Sequence, residues 1–426
     1  MKSSDEIFKL IKNKNFKKIK ELIKKDKINF DIQDDQFNYP IQYLIKYNEP
    51  EIIELIMKNN KIRLDILDTD GRNLLYFPIK YNYLNILKII LKYNKNNIGF
   101  NIIDRKDKNG FTGLHYSCIM NNYKAFEILL NEGSDPFIID KDESNIFELA
   151  FEYERNDILL LLFKNINDFN FLNSDGKNFL QLAIERENHL IIDYFIQNKI
   201  EININNQDTM YGSTAIQIAT IINNTELINK LINIGADVNI QDYLGNNCIH
   251  YSIIENNVNL LKQYIDKCEN YNLENLDGKT ILHLFLEKFN INVSLENYNN
   301  TDEFKLLKKL IINSNLNIQD NNGKTSIHLL IEKYLWDNKY IIELLEKKEL
   351  NIFIYENNNE DVYSLVMNKE KLIDLVSKSY YFVLKRDNIK NNKICKSKEF
   401  NSILESKDKN TCINKIKKYI IKNKIS

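Results

Sequence analysis

One short pattern recurs along the 426-residue chain: glycine, a variable residue, Thr or Asn, a small or apolar residue, Leu or Ile, and then His. It is plain in GFTGLHYSCIMNNYKAFEILL (from Gly110), GNNCIHYSIIENNVNLLKQYI (from Gly245), GKTILHLFLEKF (from Gly278) and GKTSIHLLIEKY (from Gly323). The Thr-equivalent positions are Tyr39, Asn73, Thr112, Asn145, Asn178, Thr214, Asn247, Thr280, Thr325 and Asp361, with successive steps of 34, 39, 33, 33, 36, 33, 33, 45 and 36 residues. A unit this short cannot bury its own apolar face, so units stack and share one core.

Local chemistry agrees with the phase. Nine of the ten marked residues are Thr, Asn or Asp, whose side chains accept hydrogen bonds from the free N–H groups of a helix's first turn. Nine residues further on stand Asn48, Asn82, Asn121, Asn223 and Asn256. Asparagine is the residue after glycine best suited to the left-handed conformation that ends a helix. The spacing therefore predicts a first helix of about eight residues. Apolar residues at helical intervals then predict a second one, as in Phe126, Leu129 and Leu130, or Leu227, Leu231 and Ile232. A segment such as Gly235–Asp242 (GADVNIQD) closes the unit.

The dominant step of 33 and the Thr-x-Leu/Ile-His core resemble the ankyrin repeat, a β-turn followed by two helices with a T-P-L-H signature. The resemblance implies an all-α solenoid of about eleven helix-turn-helix repeats joined by short β-hairpin connections. It divides the chain into an N-terminal capping helix pair (1–30), the repeat array (31–378) and a basic C-terminal module or cap (379–426). The signature is degraded at Tyr39, Asn145, Asn178 and Asp361, where Gln42, Glu148, Gln181 and Ser364 replace the histidine. Fewer bonds between neighbouring repeats are expected there. Two spacings are stretched, over Lys92–Arg105 and Asn290–Asp302, and insertions in such arrays fall in loops on one face.

Composition narrows the function. The chain is 43% hydrophobic and 27% charged, with a formal charge of -1, which describes a foldable chain rather than a disordered one. The N-terminal MKSSDEIFKLIKNKN has no apolar stretch of secretory type. Ile158–Phe163 is far shorter than the roughly 18–20 residues that span a bilayer. Five cysteines, an odd number with no C-x-x-C pair, suit reduced thiols. An intracellular, cytoplasmic and monomeric protein is expected, in the host cytoplasm if the source is a virus or a bacterium.

His115, His250, His283 and His328 share one repeat position. Neighbouring helices lie about 8–10 Å apart, whereas two nitrogens on one zinc must each lie about 2.0–2.1 Å from it. The four are therefore read as links between repeats, not as a metal or acid–base site, and His189 as a surface residue. Cys118 and Cys248 fall at apolar positions and read as small core residues. No nucleotide-binding, metalloprotease, hydrolase or kinase motif is present. No catalytic residue, cofactor or metal is expected.

What remains is a non-catalytic protein–protein interaction scaffold. The resemblance places its contacts on hairpin tips and on the concave side of the first helices. Aromatic and arginine side chains dominate binding hot spots, which singles out Arg72, Phe111, Met210, Tyr211, Tyr243 and Leu244. Two rival readings rest on the tail: thirteen Lys/Arg against four Asp/Glu from Tyr380 to Ser426 suggest contact with nucleic-acid phosphates, and a short helical C-terminus invites comparison with F-box-like ubiquitin-ligase adaptors. The solvated-surface reading of the lysines is preferred, so nucleic acid is not an expected partner, and the Leu-Pro opening of an F-box is missing. Leu231–Asn239 resembles sites at which asparagine is hydroxylated in ankyrin proteins, with Asn239 as acceptor; a structural role in the hairpin is the favoured alternative.

Overall fold

The computed structural model describes residues 4–59, 63–95, 101–289, 301–333 and 339–345, with single residues 348, 350, 357, 414, 416 and 418. The described residues form twenty α-helices, and their only β-pairing is an isolated antiparallel bridge between Gln319 and Thr325. None of these helices is long and apolar enough to cross a membrane. Residues 1–203 and 204–426 form two compact units. Within each, short first helices pack on first helices of adjacent repeats and second helices on second helices. The repeat marked by Asp361, the middle of both insertions and most of the tail, Cys395 and Cys412 included, lie outside the described residues. In the tail, Ile416 is described as a buried helical residue.

Seven first helices begin where a side chain closes their end; the helix Tyr76–Lys80, which starts after Leu75, has no such bond at its cap. Thr112, Asn145, Asn178, Thr214, Asn247, Thr280 and Thr325 are N-caps, and the third helical residue reaches back to the cap's N–H. That residue is His, Glu or Gln. The Thr280 N–H donates to His283 Nδ1 (3.3 Å), the Asn145 N–H to Glu148 Oε2 (2.9 Å) and the Thr214 N–H to Gln217 Oε1 (2.7 Å). The far end of the same side chain joins the next repeat. His283 Nε2 lies 3.2 Å from the Lys324 carbonyl, and Gln217 Nε2 donates to the carbonyls of Ile240 (3.0 Å) and Asn246 (2.9 Å). His283 thus acts as the sequence implies, whereas Nε2 of His115 and of His250 is buried without a hydrogen-bond partner among the described residues. Where Glu148 replaces histidine, the bond to the cap is kept. Gln217, which comparison of the signatures passed over, makes both links, because a primary amide has an acceptor and a donor at opposite corners.

The helix ends are as regular. Asn48, Asn82, Asn121, Asn223 and Asn256 all have φ near +55°, as expected, and Glu154 and Glu187 take the same conformation without asparagine's preference for it. The second helix then starts at a cap ten residues after the first, where Asn122, Asn188, Asn224 and Asn257 accept from the N–H three residues on. This cap also reaches back to the preceding repeat: Asn122 Nδ2 donates to the Ile79 carbonyl (3.0 Å), and Arg155, in place of asparagine, donates to the carbonyls of Cys118 and Ile119 (3.3 Å each).

Between repeats the hairpin is folded around one acid or amide. Asp68, Asp107, Asp140, Asn173, Asp242, Asn275 and Asp320 each accept from the backbone N–H groups two and four residues later at 2.8–3.1 Å. The second carboxylate oxygen of Asp107 takes the Tyr116 hydroxyl, and that of Asp242 the Tyr251 hydroxyl. The turn needs a left-handed residue three positions after the acid. Gly110, Gly245 and Gly278 supply it, whereas Glu143 (φ 61°) and Phe37 (φ 62°) adopt it with a side chain present.

The core between the layers is built by the second helices, in which residues i, i+1 and i+4 are buried: Ile86, Leu87 and Ile90, or Leu227, Ile228 and Leu231. Full burial of each such side chain stabilises by about 1.5–3 kcal/mol. In residues 137–195 phenylalanine takes over: Phe147 lies 4.6 Å from Phe179 and Phe163 5.1 Å from Phe195, ring centre to ring centre.

The glycine turns yield a paired prediction. A Cβ at Gly245 would sit 2.7 Å from Asn275 Cα and 3.0 Å from the Glu274 carbonyl, whereas one at Gly133 meets nothing within 4 Å, although both have positive φ. Gly133→Ala should cost about 1 kcal/mol for the conformation alone. Gly245→Ala should cost about 1–3 kcal/mol more, because backbone must move; urea melts of the two variants measure the difference.

Candidate functional site

The two residues after each hairpin acid, or the second and third after Asp208, form the tip. Their backbone is fixed by the turn and their side chains point away from it. In residues 1–203 four consecutive tips are polar: Thr69–Asp70, Lys108–Asn109, Lys141–Asp142 and Ser174–Asp175. In residues 204–426 three successive tips each expose a large apolar side chain. Met210 is 55% exposed, Tyr211 and Tyr243 58%, Leu244 50% and Leu276 66%.

These tips are joined into a row. The Tyr243 N–H donates to the Tyr211 carbonyl (2.8 Å), and the Leu276 N–H to the Leu244 carbonyl (2.8 Å). Gln207 Nε2 donates to the carbonyls of Gly212 (2.7 Å) and Gln241 (2.9 Å), and Gln241 Nε2 to those of Gly245 (2.6 Å) and Glu274 (3.0 Å). A Cβ at Gly212 would lie 2.6 Å from the Tyr243 ring, so one tip's ring packs on the backbone of the tip before it. The row is an apolar strip on a frame whose backbone is already hydrogen-bonded. Met210, Tyr211, Tyr243 and Leu244, named from sequence, come together here. Leu276 was missed, since it is neither aromatic nor arginine; its place two residues before Gly278, like Tyr243 before Gly245, was the available signal. Ile221, 44% exposed at the end of the first helix Ala215–Ile221, was missed too.

Arg72 and Phe111 lie in the other unit and are differently situated. Arg72 donates to Asp68 (2.7 Å), pairs with Asp70 (2.6 Å) and lies 4.1 Å over the Tyr76 ring. Phe111 stacks on His115 (5.7 Å) and meets Tyr116 edge-on, and Tyr116 in turn meets Tyr76 at 4.7 Å. Both side chains are half-buried and belong to one aromatic cluster. A partner would meet their edges, not two projecting anchors.

The groups that could carry chemistry are set for structure. His115 and His250 are fully buried, and burial pushes both imidazoles down to about 4; Asp140 opposes the shift at His115, and the backbone of Leu273 and Lys279 opposes it at His250. The Cys118 and Cys248 thiols, also fully buried, are pushed up to about 12, so neither forms the thiolate that nucleophilic attack requires. Among the described residues no three His, Cys, Asp or Glu side chains gather as metal ligands would. The Asn239 amide is engaged on both sides: Nδ2 donates to Asp237 (3.0 Å) and the Lys267 carbonyl (3.0 Å), and Oδ1 accepts from the Glu269 N–H (3.1 Å). Asp104, Asn205 and Asn272 accept from the following repeat in the same way. Asn239 therefore belongs to a recurring structural column.

Comparison with known proteins places these features in context. A model of ankyrin repeats in three copies matches residues 7–104 and 146–242, and a single ankyrin repeat matches 109–141, together more than half of the chain. An ankyrin repeat protein of Acanthamoeba polyphaga mimivirus is 30% identical over 349 residues, covering 77% of this chain; the chain spans 45% of that relative's length. Among solved structures, the ankyrin repeat domain of Bcl-3, a member of the IkappaB protein family, matches 50% of this chain and 94% of its own at 20% identity, with a TM-score of 0.45.

The buried histidines make stability pH-dependent with a defined sign. Their folded pKa lies below the free value of about 6.5, so their stabilisation is complete above that pH and is lost as pH falls from about 6.5 towards 4. His250→Gln, which keeps an acceptor for the cap and a donor for the next repeat, should flatten this acid limb. Thermal melts of both proteins between pH 7 and pH 4 measure it, and equal slopes would refute the assignment.

Proposed function

The chain belongs to the ankyrin repeat family, whose repeats generally serve as protein–protein interaction modules, and we propose that it is a non-catalytic scaffold binding a partner protein through the Met210–Leu276 tip row. The observation that carries this reading is the row itself: three adjacent tips expose large apolar groups on a frame that already satisfies its own backbone. Exposed apolar groups in a contiguous patch mark interaction surfaces, whereas single ones need no explanation. The exposed side of the first helices, where Ile221 is 44% exposed, extends the surface. Arg72 and Phe111 remain secondary candidates, since each would have to leave contacts it now makes. The scaffold is read as a monomer acting in the cytoplasm, in a host cell's if its source is viral, as the mimivirus relative's is. Nucleic-acid binding and ligase recruitment both rest on the tail, most of which lies outside the described residues, and no observation favours either.

Substitution of Tyr211, Tyr243 and Leu276 by Ser tests the reading. Each truncation of a true anchor costs about 2 kcal/mol of binding, roughly thirtyfold in affinity. Proximity labelling in the native cell, comparing this variant with the unaltered chain, should show loss of specific partners while circular dichroism and melting stay close to those of the parent. Retention of every partner by a folded variant would refute the tip row.

A further inference from the structure

The geometry of the tip row also bears on the conformation of what binds it. Resting on the reading that the row is the partner site, we infer that it takes a polyproline-II segment, with apolar side chains at every third residue and a basic residue at the Leu276 end. Three observations support this. The first is spacing: packed helices generally lie about 8–10 Å apart, and the polyproline-II helix brings every third side chain to one face at roughly 9 Å per turn. A β-strand returns to the same face after about 7 Å and falls out of step within three repeats.

The second is hydrogen bonding. The backbone of successive tips is paired along the row, as Tyr211 with Tyr243 and Leu244 with Leu276, so the row offers no strand edge for a partner to extend. What it offers are the rings and hydroxyls of Tyr211 and Tyr243, which are exposed and make no hydrogen bond among the described residues. Polyproline-II carbonyls are not bonded internally and can accept from such hydroxyls, whereas a helix spends its carbonyls on itself. Aromatic-lined surfaces are the general receptor for this conformation. The third is charge. Beyond Leu276 the row ends in the exposed carboxylates of Asp277 and Glu274, while the nearby cations Lys279 and Lys324 are paired with Glu287 and Glu332. That end favours a positive residue.

The test uses the full-length chain and three fluorescein-labelled peptides of equal length, read by anisotropy. The first has leucine at every third position, proline between and arginine at one end; the second alternates leucine and threonine; the third is an amphipathic, alanine-based helix former. The first should bind saturably and the other two weakly. Tyr211→Phe with Tyr243→Phe should weaken it about tenfold, since each variant keeps its ring and loses only the hydroxyl. Leu276→Asp should abolish binding, and glutamate in place of the peptide's arginine should weaken it. If the alternating or helical peptide binds better and is lost with the tip variants, the polyproline-II inference fails and the tip row stands. If no peptide binds while the Ser-substituted chain still loses its cellular partners, the inference fails in the same way. If the first peptide binds with equal affinity to the parent and the tip variants, it sits elsewhere and the inference is wrong.

Discussion

The structure depends on the hydrogen bonds made by the third residue of most first helices. That side chain accepts from the N–H of its own cap with one atom and, at its other end, meets the backbone of the next repeat, as in His283 and Gln217. A free helix end and an inter-repeat gap are two unmet demands for hydrogen bonds, each costly if buried. A single planar group with opposed polar corners meets both. The same logic recurs at the second helix, where Asn122 caps forward and links back. Each repeat thus supplies part of its neighbour's secondary structure, which is why a unit of 33 residues holds its shape only in company.

Much of this was legible in the sequence, because the chemistry was local. A Thr or Asn at the cap and an Asn nine residues later act within one turn of helix, and Thr280 and Asn223 behave as their types require. Burial of Cys118 and Cys248 followed from position in the repeat. What escaped depended on a neighbour. Gln217 was passed over because matching residue types to a signature hides the fact that an amide can do an imidazole's work. The hairpin acids escaped because their role lies in the direction of two carboxylate oxygens, one towards backbone N–H groups and one towards a tyrosine at the fourth position of the following helix.

The candidate surface divides in the same way. Met210, Tyr211, Tyr243 and Leu244 could be named because hairpin tips project wherever the turn is intact. Arg72 and Phe111 stand just past the tips and fold back, one onto Asp68 and Tyr76, the other onto His115. Their residue types suit hot spots, but the same types make good internal contacts, and composition cannot separate the two. Leu276 shows the converse: an ordinary leucine becomes prominent only because the tip before it is apolar as well.

The hairpin carboxylate has one more consequence. Because Asp242 binds main-chain N–H groups and the Tyr251 ring hydroxyl, and not the side chains of Tyr243 or Leu244, the loop's shape is indifferent to what those two residues are. Stability is written in one set of positions and recognition in another, a few bonds away. Such a chain can drift at its tips through many intermediates without unfolding, and duplication or loss of one repeat would move its recognition pattern by one whole unit while leaving the rest in register.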